Sequence, residues 1–405
     1  MSSRARRRKK LPDYPPITVR IESLVFGGQG LARLEDGRVA LVSYAAPGEL
    51  VEATIDRDHR DYVEAVTTNV IEPSPDRVEP PCEIFGRCGG CQLQHMAYPA
   101  QLAAKRHMVQ EQLKRIGGFE EVEVEETVGA DDPWEYRNHV RLSTGPTHGD
   151  VGFISRRGRG LLTVNNCPIA HPFINNLLPK LQHRAKGLHQ VQIRYNEKTG
   201  SFLLKPEIED LDFPTGQSSY LEELAGHRFV VSDSAFFQVN TPQAEKLVQL
   251  VGESLPARGG LLVDAFAGVG TFAVIFAERF RQVVAIEEAK SATRDAKTNT
   301  QDQRNIKIRT GKVEDVLPEL DDDPDVVLLD PPRAGCAPPV LDAILDYRPR
   351  TVVYVSCNPS TLARDLRALV DGGYQLERVT PVDMFPQTGH VESVSRLTLA
   401  GEPGA

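Results

Sequence analysis

Val263-Asp264-Ala265-Phe266-Ala267-Gly268-Val269-Gly270-Thr271-Phe272 is the stretch that decides the fold of the C-terminal half of this chain. The apolar run that leads into it is typical of a buried strand, and the residues after it have the spacing of a helix. The two glycines at the turn let the backbone approach a ligand closely. The pattern therefore predicts a strand, a ligand-binding turn and a helix, as at the start of a doubly wound α/β domain.

Strands and helices continue to alternate from about residue 240 onward. The predicted strands are residues 260–264, 282–286, 306–309, 326–329 and 351–356, and the predicted helices are 241–254, 271–280, 289–300, 340–345 and 360–369. Thr241 is a good N-cap for the first of these helices. Glu287, Asp330 and Cys357 each follow a predicted strand, and in this fold ligands bind at the carboxyl ends of the strands. These three side chains are therefore candidate site residues.

The turn could bind either of two kinds of ligand. A dinucleotide-binding domain would carry G-x-G-x-x-G around a pyrophosphate, but here the third glycine is missing, and an acid and an aromatic residue precede the turn. That form resembles the loop of class I methyltransferases, which binds S-adenosylmethionine. The resemblance implies that Asp264 and the glycines face the methionine moiety. Glu287 is placed to accept hydrogen bonds from ribose hydroxyls.

A thiol and two acids lie further along the chain. Asp330-Pro331-Pro332-Arg333 resembles the substrate-side motif of methyltransferases that act on planar bases. Cys357 follows a buried strand, and we expect the helix that begins near Ser360 to lower the pKa of its thiol. Glu392 lies beside a last predicted strand, residues 391–399. A thiolate that adds to carbon 6 of a pyrimidine, with a carboxylate that removes the carbon 5 proton, would permit methylation at carbon 5.

Each of these residues also has a purely structural interpretation. Cysteines commonly occupy buried strand ends, and Cys336 is a second candidate for the nucleophile, on a probable loop. Glu392 could be a surface acid beside its strand. The combination of Cys357 with Asp330 and Glu392 favours the catalytic interpretation.

The N-terminal part differs in character. Residues 1–14 form a basic tail, with Arg4 to Lys10 at its centre, which we expect to be disordered and to attract phosphate. Residues 15–72 contain about five short predicted strands with glycine turns, which suggests a small barrel of the oligonucleotide-binding kind. The turns at 27–30 and 46–49 resemble those of the TRAM domain, an RNA-binding barrel. A barrel with only a structural role is the alternative.

The middle part, residues 82–230, begins with cysteines. The chain has six: Cys82, Cys88, Cys91, Cys167, Cys336 and Cys357. A large chain without an export signal is unlikely to use them as disulfides, and the tight spacing of the first three suggests a metal. The first four cysteines could hold zinc or an iron–sulfur cluster, and the spacing alone leaves both open. After these come a predicted helix, residues 99–116, and strands that include residues 122–127.

Length, net charge and hydropathy bear on the number of domains and on the location of the protein. A length of 405 residues predicts two or three domains, and the net charge of -9 argues against a uniformly basic nucleic-acid coat. A second basic cluster lies at residues 156–159. No apolar segment has the length of a membrane span or the form of a signal peptide. We therefore expect a cytoplasmic protein without a membrane partner, and no obligate protein partner is evident.

Five motifs occur in the order found in the RNA 5-methyluridine methyltransferases, which modify transfer RNA and large-subunit ribosomal RNA. The motifs are Phe237-Gln238-Val239-Asn240, the loop 264–272, Asp330-Pro331-Pro332-Arg333, Ser356-Cys357-Asn358-Pro359 and His390-Val391-Glu392. The resemblance covers nearly the whole chain, including the barrel and the cysteines. It implies a class I, Rossmann-like methyltransferase domain at residues 231–405, after a TRAM/OB-like barrel and a central α+β domain.

The same resemblance implies roles for individual residues. The residues that would contact S-adenosylmethionine are Gln238, Phe266, Glu287 and Asp330, whereas Cys357 would be the nucleophile and Glu392 the base. Cys82, Cys88, Cys91 and Cys167 would hold a [4Fe–4S] cluster, as in the iron–sulfur members of the family. Glu314 or Asp315 would supply one more polar contact, and Thr271 stands where relatives often carry asparagine.

The sequence thus predicts methylation of carbon 5 of a specific uridine in structured RNA, with the target base flipped out of its stack. We favour 23S ribosomal RNA, with transfer RNA as the alternative. A cytosine carbon 5 methyltransferase and a non-catalytic RNA-binding protein are the rival functions. A radical enzyme is disfavoured, because such enzymes typically show C-x3-C-x2-C and leave one iron without a protein ligand.

Overall fold

A computed structural model describes residues 14–145, 147–158 and 160–401. The basic tail around Arg4 to Lys10 and one member of the second basic cluster, Arg159, lie outside the described residues. Within them the chain forms twenty β-strands and eight α-helices. None of the described helices has the length and apolarity needed to cross a bilayer.

The N-terminal unit is one six-stranded sheet. Its strands are β1 Ile17–Arg20, β2 Ser23–Leu24, β3 Gly30–Arg33, β4 Val39–Ser43, β5 Leu50–Asp58 and β6 Tyr62–Glu72, in the order β1-β5-β6-β4-β3-β2. Alternate residues are buried, and Val19, Val42, Val51 and Val63 belong to one core. The sequence predicted about five strands; the additional one, β2, has only two residues and leaves no periodic pattern.

The central unit combines helices with a second sheet. Its elements are α1 Tyr98–Arg115, β7 His139–Thr144, β8 Val151–Ile154, β9 Leu161–Thr163, α2 Pro172–Leu181, β10 Gln190–Tyr195 and β11 Phe202–Lys205. The five strands pair in the order β11-β10-β7-β8-β9. The apolar face of α2, with Ile174, Leu177 and Leu181, shares a core with this sheet.

The strand predicted at residues 122–127 is absent from this described segment. Its backbone groups pair with side chains of α1 instead: Gln110 donates to the Val122 carbonyl at 2.8 Å and accepts from the Val124 N–H at 3.0 Å. Arg106 donates to the Val124 carbonyl at 2.7 Å. Side chains thus satisfy part of this backbone. The Glu125 N–H donates to the Val379 carbonyl at 3.0 Å, but no strand ladder forms over residues 122–127.

A two-stranded hairpin, β12 Ser219–Leu224 and β13 His227–Ser232, leads into the C-terminal half. Phe229 and Val231 on β13 belong to the same core as the C-terminal sheet. The boundary predicted between residues 230 and 231 therefore falls inside β13, because the hairpin packs on the domain that follows.

The C-terminal half has the predicted doubly wound topology. Its elements are α3 Thr241–Ser254, β14 Gly259–Ala265, α4 Thr271–Phe276, β15 Phe280–Glu287, α5 Lys290–Asn299, β16 Ile306–Thr310, α6 Val313–Val316, β17 Val326–Leu329, α7 Pro338–Tyr347, β18 Thr351–Ser356, α8 Pro359–Asp371, β19 Tyr374–Val382 and β20 Glu392–Leu399. The strand order is β16-β15-β14-β17-β18-β20-β19, and only β20 is antiparallel to its neighbours. The N-cap of α3 is Asn240, not Thr241, because the Asn240 side chain accepts from the Gln243 N–H.

Two hydrophobic cores cover the faces of this sheet. One contains residues of α3, α4 and α5, and the other contains residues of α7 and α8 together with Val109 and Leu113 of α1. Every residue of β17 and β18 is buried, as expected for strands covered on both faces. The parallel strands consequently present their carboxyl ends at one edge, where the site lies.

Candidate functional site

A cavity of about 600 Å³ opens at the carboxyl ends of the parallel strands. Among the residues that line it are Gln238, Phe266, Glu287, Asp330, Cys357 and Glu392. The structure therefore brings together all six side chains that the sequence suggested for the cofactor and for catalysis. Thr271 also lines the cavity, and of the two alternative acids Glu314 does so.

The turn after β14 has an unusual backbone. Phe266 has a φ of 68°, a left-handed conformation that costs a non-glycine residue about 1–3 kcal/mol. Gly268 and Gly270 follow with φ of 56° and 86°. A Cβ added at Gly268 would meet no atom within 4 Å, so open space adjoins the backbone there. The turn therefore has the space that a closely approaching ligand would need.

Two acids fix the shape of this turn. Glu287 accepts from the Gly268 N–H at 2.9 Å and from the Ala289 N–H at 2.7 Å. Asp264 is fully buried and accepts from the Ala273 N–H of α4 at 2.9 Å. Burial raises the pKa of Asp264 to about 8. The expectation that Asp264 faces the cofactor is therefore wrong: its carboxyl group holds the start of α4 against the turn.

Cys357 and the two acids of the substrate side are adjacent. Ser356 pairs with Ser393 across β18 and β20, so the next residues, Cys357 and Glu392, come opposite each other at the end of the ladder. Glu392 is only 7% exposed. Asp330 follows β17, the other neighbour of β18. The thiol therefore lies between two carboxyl groups.

This arrangement changes the acidity of all three groups. Burial raises the pKa of Cys357 to about 11, and the charges of Glu392 and Asp330 add to the shift. Burial raises the pKa of Asp330 to about 7. Burial, followed by the charge of Asp330, raises the pKa of Glu392 well above its usual range. These shifts favour the protonated forms of Cys357 and Glu392 at neutral pH.

The expected lowering of the Cys357 pKa by a helix start is contradicted. Helix α8 begins at Pro359, and the side chain of its N-cap, Asn358, accepts from the Ser360 N–H. Burial and two neighbouring acids raise the pKa of the thiol instead. The cation that opposes them is Arg333, which lowers the pKa of both Cys357 and Glu392.

Arg333 is a site residue to which the sequence assigned no role. Its carbonyl accepts from Asn358 at 2.9 Å and from Thr361 at 3.3 Å, both at the start of α8. These contacts hold the Asp-Pro-Pro-Arg loop beside Cys357, and Arg333 lines the cavity. Cys336, in contrast, is buried behind the loop, where its N–H donates to Asp365.

Phe236 is a second residue that the sequence did not single out. Its side chain is 68% exposed, whereas the adjacent Phe237 is 4% exposed and belongs to the core. Phe236 lines the cavity described above and also a neighbouring one. Two aromatic residues before Gln238 were the only signal, and the sequence does not tell which of them faces outward.

The neighbouring cavity, of about 710 Å³, is lined by Cys82, Cys88, Cys91 and Cys167. Burial raises the pKa of Cys91 to about 12, and the other three cysteines contribute to this shift. Burial likewise raises the pKa of Cys167 to about 11. Among the residues that the structure describes, no group of three or more His, Cys, Asp and Glu side chains is placed to hold a metal ion. The four thiols thus surround a space without converging on one point.

Comparison with known proteins identifies two regions of the chain. Residues 222–317 and 319–399 match the tRNA (uracil-5-)-methyltransferase family, and residues 16–67 match the TRAM domain. The first match begins inside the β12–β13 hairpin, in agreement with the packing of that hairpin. The second match confirms the predicted TRAM domain.

Relatives resemble the chain over nearly its full length. An uncharacterised RNA methyltransferase of Gloeobacter violaceus is 36% identical, with 94% of this chain and 96% of the relative covered. One from Halalkalibacterium halodurans is 33% identical over 95% and 97%. The tRNA (uracil-54, C5)-methyltransferase of Pyrococcus abyssi, solved with S-adenosyl-L-homocysteine, superposes with a TM-score of 0.74 at 25% identity, covering 94% of this chain and all of that one. The chain therefore belongs to the tRNA (uracil-5-)-methyltransferase family and is an RNA (uracil-5-)-methyltransferase with an N-terminal TRAM domain.

Proposed function

We propose that the protein methylates carbon 5 of a specific uridine in structured RNA, with Cys357 as nucleophile and Glu392 as base. The observation that carries this proposal is the opposition of Cys357 and Glu392 at the end of β18 and β20, inside a cavity that Asp330 also lines. A thiol is needed because carbon 5 of uracil is too weak a nucleophile until a group has added to carbon 6.

The cofactor end of the cavity fits S-adenosylmethionine. An aromatic ring at Phe266, a carboxylate at Glu287 and a glycine turn with open space beside it are the groups that a nucleoside with an aliphatic tail would contact. We propose that Gln238 and Asp330 complete these contacts and that Glu314 supplies a further one. S-adenosylmethionine, when bound, supplies the methyl group.

Cys357, Glu392 and Arg333 have different roles in the reaction of the uracil. Cys357 loses its proton to solvent and the thiolate adds to carbon 6. The electron pair of the 5,6 double bond moves to carbon 5 and the carbon 4 carbonyl as an enolate, which makes carbon 5 nucleophilic. After carbon 5 has gained its methyl group, Glu392 removes the carbon 5 proton, and the electron pair of that C–H bond forms the 5,6 double bond and expels Cys357. Arg333 stabilises the negative charges that thiol and base must carry.

The exposed ring of Phe236 supports recognition of a base that has left its stack. A flipped base loses its stacking partners, and an aromatic side chain replaces them at about 1–3 kcal/mol per base. Phe236 lies at the cavity rather than in the core, so its ring is available for this contact. We therefore assign it to the target uracil.

Release of tritium from carbon 5 of uridine tests the reaction directly. Purified enzyme and S-adenosylmethionine would be incubated with unmodified ribosomal RNA and, separately, with transfer RNA. We expect release from 23S ribosomal RNA and none after Cys357→Ala. Release from neither RNA by a protein that still binds S-adenosylmethionine would contradict the proposal and favour a non-catalytic RNA-binding role or another base.

Transfer RNA is the second candidate substrate, and one observation favours it. The Pyrococcus abyssi protein, which superposes on nearly the whole chain, is a tRNA (uracil-54, C5)-methyltransferase. Release of tritium from transfer RNA alone would establish this alternative and exclude ribosomal RNA, without changing the roles of Cys357 and Glu392.

We also propose a [4Fe–4S] cluster at Cys82, Cys88, Cys91 and Cys167. All four thiols line one cavity, and four cysteine ligands can hold either an iron–sulfur cluster or zinc. The resemblance to the iron–sulfur members of the family favours the cluster. Its role would be structural, because it would join the loop 82–91 to residue 167.

Chemical analysis separates these two metals. Protein purified without oxygen should contain iron and acid-labile sulfide, and Cys91→Ser and Cys167→Ser should lose both. Cys336→Ser, which alters the buried cysteine behind the Asp-Pro-Pro-Arg loop, is the matched control and should retain them. Zinc without iron would contradict the cluster.

A further inference from the structure

The loop that ends directly before Glu392 forms hydrogen bonds with distant parts of the chain. Residues 383–391, here named the base loop, connect β19 to β20 and end directly before Glu392. Its carbonyl groups accept hydrogen bonds from distant segments. Pro386 accepts from the Tyr136 hydroxyl at 2.9 Å, and Gly389 accepts from the N–H of Gly27, in the TRAM domain, at 3.1 Å.

Helix α1 of the central unit contacts the start and middle of the base loop. Lys105 donates to the carboxylate of Asp383 and, at 3.1 Å, to the Phe385 carbonyl, and both members of this ion pair are fully buried. One turn earlier, Gln101 donates to the Gln387 side chain at 2.9 Å and accepts from the Gln387 N–H at 3.1 Å. Gln101 and Lys105 are four residues apart, so they lie on one face of α1.

The segment directly after Cys91 contacts the end of the base loop. The N–H groups of Gln92 and Leu93 both donate to the Gln387 carbonyl, each at 3.0 Å. The Gln92 side chain accepts from the Gly389 N–H at 3.2 Å and donates to the Gly89 carbonyl at 3.0 Å. Gln92 therefore links the segment next to Cys91 with a residue three positions before Glu392.

The base loop has little room to move at this point. A Cβ added at Gly389 would come within 2.2 Å of the Gly27 carbonyl carbon, and one added at Gly28 would lie 3.2 Å from the Gly389 Cα. The TRAM backbone therefore packs against the base loop and, at the same place, against Gln92, whose Cβ would lie 3.1 Å from a Cβ added at Gly28. Three parts of the chain therefore contact the base loop, which ends directly before Glu392.

We propose that Gln92 and Gln101 are positioning residues that hold Glu392 where it meets the carbon 5 proton. The inference rests on the proposed function, since it assigns Glu392 the role of base. Proton removal requires hydrogen-bond reach between the base and the proton. A misplacement of about 1 Å can lower a rate by about 10²-fold. Neither glutamine lines the catalytic cavity, so each acts through the base loop.

The test uses Gln92→Met and Gln101→Met in the full-length protein. Both changes keep side-chain length and remove the amide. Gln92→Glu retains the oxygen that accepts from Gly389 and serves as the conservative variant. Gln249→Met, which makes the same change on the exposed face of α3, is the matched control. The readouts are turnover, the fraction of enzyme covalently attached to RNA on a denaturing gel, and the effect of deuterium at carbon 5 on the rate.

If the two glutamines position the base, turnover falls by about tenfold or more in each methionine variant because the base is displaced. Covalent RNA complex accumulates and the deuterium effect grows, because thiol addition precedes the impaired step. Gln92→Glu recovers most of the turnover, and Gln249→Met behaves as the parent does. Loss of turnover without covalent complex, or no change in either variant, would overturn the inference.

Glu392→Gln separates this inference from the proposed function. If Glu392→Gln traps the covalent complex and the methionine variants do not, only the positioning role fails. If Glu392→Gln itself traps nothing, the assignment of Glu392 as base fails first.

Discussion

Cys357 and Glu392 lie opposite each other at the end of the β18–β20 ladder, one position beyond the pair Ser356 and Ser393. Glu392 is flanked on its other side by Val382 of β19. A side chain between two strands has little freedom, so the proposed base is held beside the proposed nucleophile. Burial raises the pKa of both groups, and the charge of Glu392 adds to the shift at Cys357.

Replacement of the base should stop the reaction midway. Glu392→Gln keeps the shape of the side chain but cannot take the carbon 5 proton, so the thiol adds and the methyl group transfers, but Cys357 is not expelled. We expect a covalent RNA complex on a denaturing gel, absent from the double variant with Cys357→Ala. Rapid turnover by Glu392→Gln would show that another group is the base.

The rate should rise with pH through the neutral range. The pKa of Cys357 is raised to about 11 and that of Glu392 is raised as well, and both groups act in the deprotonated form. Below those pKa values the deprotonated fraction of each group grows as pH increases. We expect kcat/KM for RNA to increase from pH 6 to pH 9 by at least about tenfold for one such group. A flat profile would indicate that neither deprotonation limits the reaction.

Replacement of Arg333 should shift the dependence of kcat/KM on pH. Its guanidinium lowers the pKa of Cys357 and Glu392, so Arg333→Met removes an opposing charge and raises both pKa values further. The rise in kcat/KM should move to higher pH, with a lower rate at pH 7. Arg333→Lys, which keeps the charge, should remain near the parent curve. If both variants reduce the rate equally at every pH, the role of Arg333 is not electrostatic.

Phe236 should matter for RNA and not for the cofactor. We expect Phe236→Ala to weaken RNA binding by about 1–3 kcal/mol, the contribution of one base stacked on an aromatic ring. Binding of S-adenosylmethionine by calorimetry should be unchanged, and Phe236→Tyr should restore RNA affinity. An equal loss of affinity for both ligands would mean that Phe236 shapes the cavity as a whole.

The ion pair between Lys105 and Asp383, the first residue of the base loop, should contribute strongly to the free energy of unfolding. Lys105 and Asp383 are both fully buried, and Lys105→Met would leave the carboxylate without its cation. Loss of one partner from a buried pair costs about 3–5 kcal/mol in the free energy of unfolding. The double variant Lys105→Met with Asp383→Leu should recover part of that loss in urea denaturation. Additive losses in the double variant would contradict the coupling.

The sequence by itself determined the type and order of the elements in the C-terminal half. Continuous apolar runs such as Val326–Leu329 predicted strands buried on both faces, and glycines at 268 and 270 predicted the ligand-binding turn. Strand ends in a doubly wound sheet meet at one edge, so Glu287, Asp330 and Cys357 could be assigned to one site from their positions alone. The five ordered motifs then indicated the family that the comparisons show.

Only the tertiary structure decided how those residues behave. Acidity depends on burial and on nearby charge, and the expected lowering of the Cys357 pKa was wrong because the thiol is buried and two acids lie beside it. Residues 122–127 have a strand-like sequence, but side chains of α1 bind the backbone groups of Val122 and Val124, and no ladder forms. Hydrogen bonds that join Gln92 and Gln101 to the base loop span almost 300 positions, and no periodicity in a sequence records contacts that close only when the chain folds.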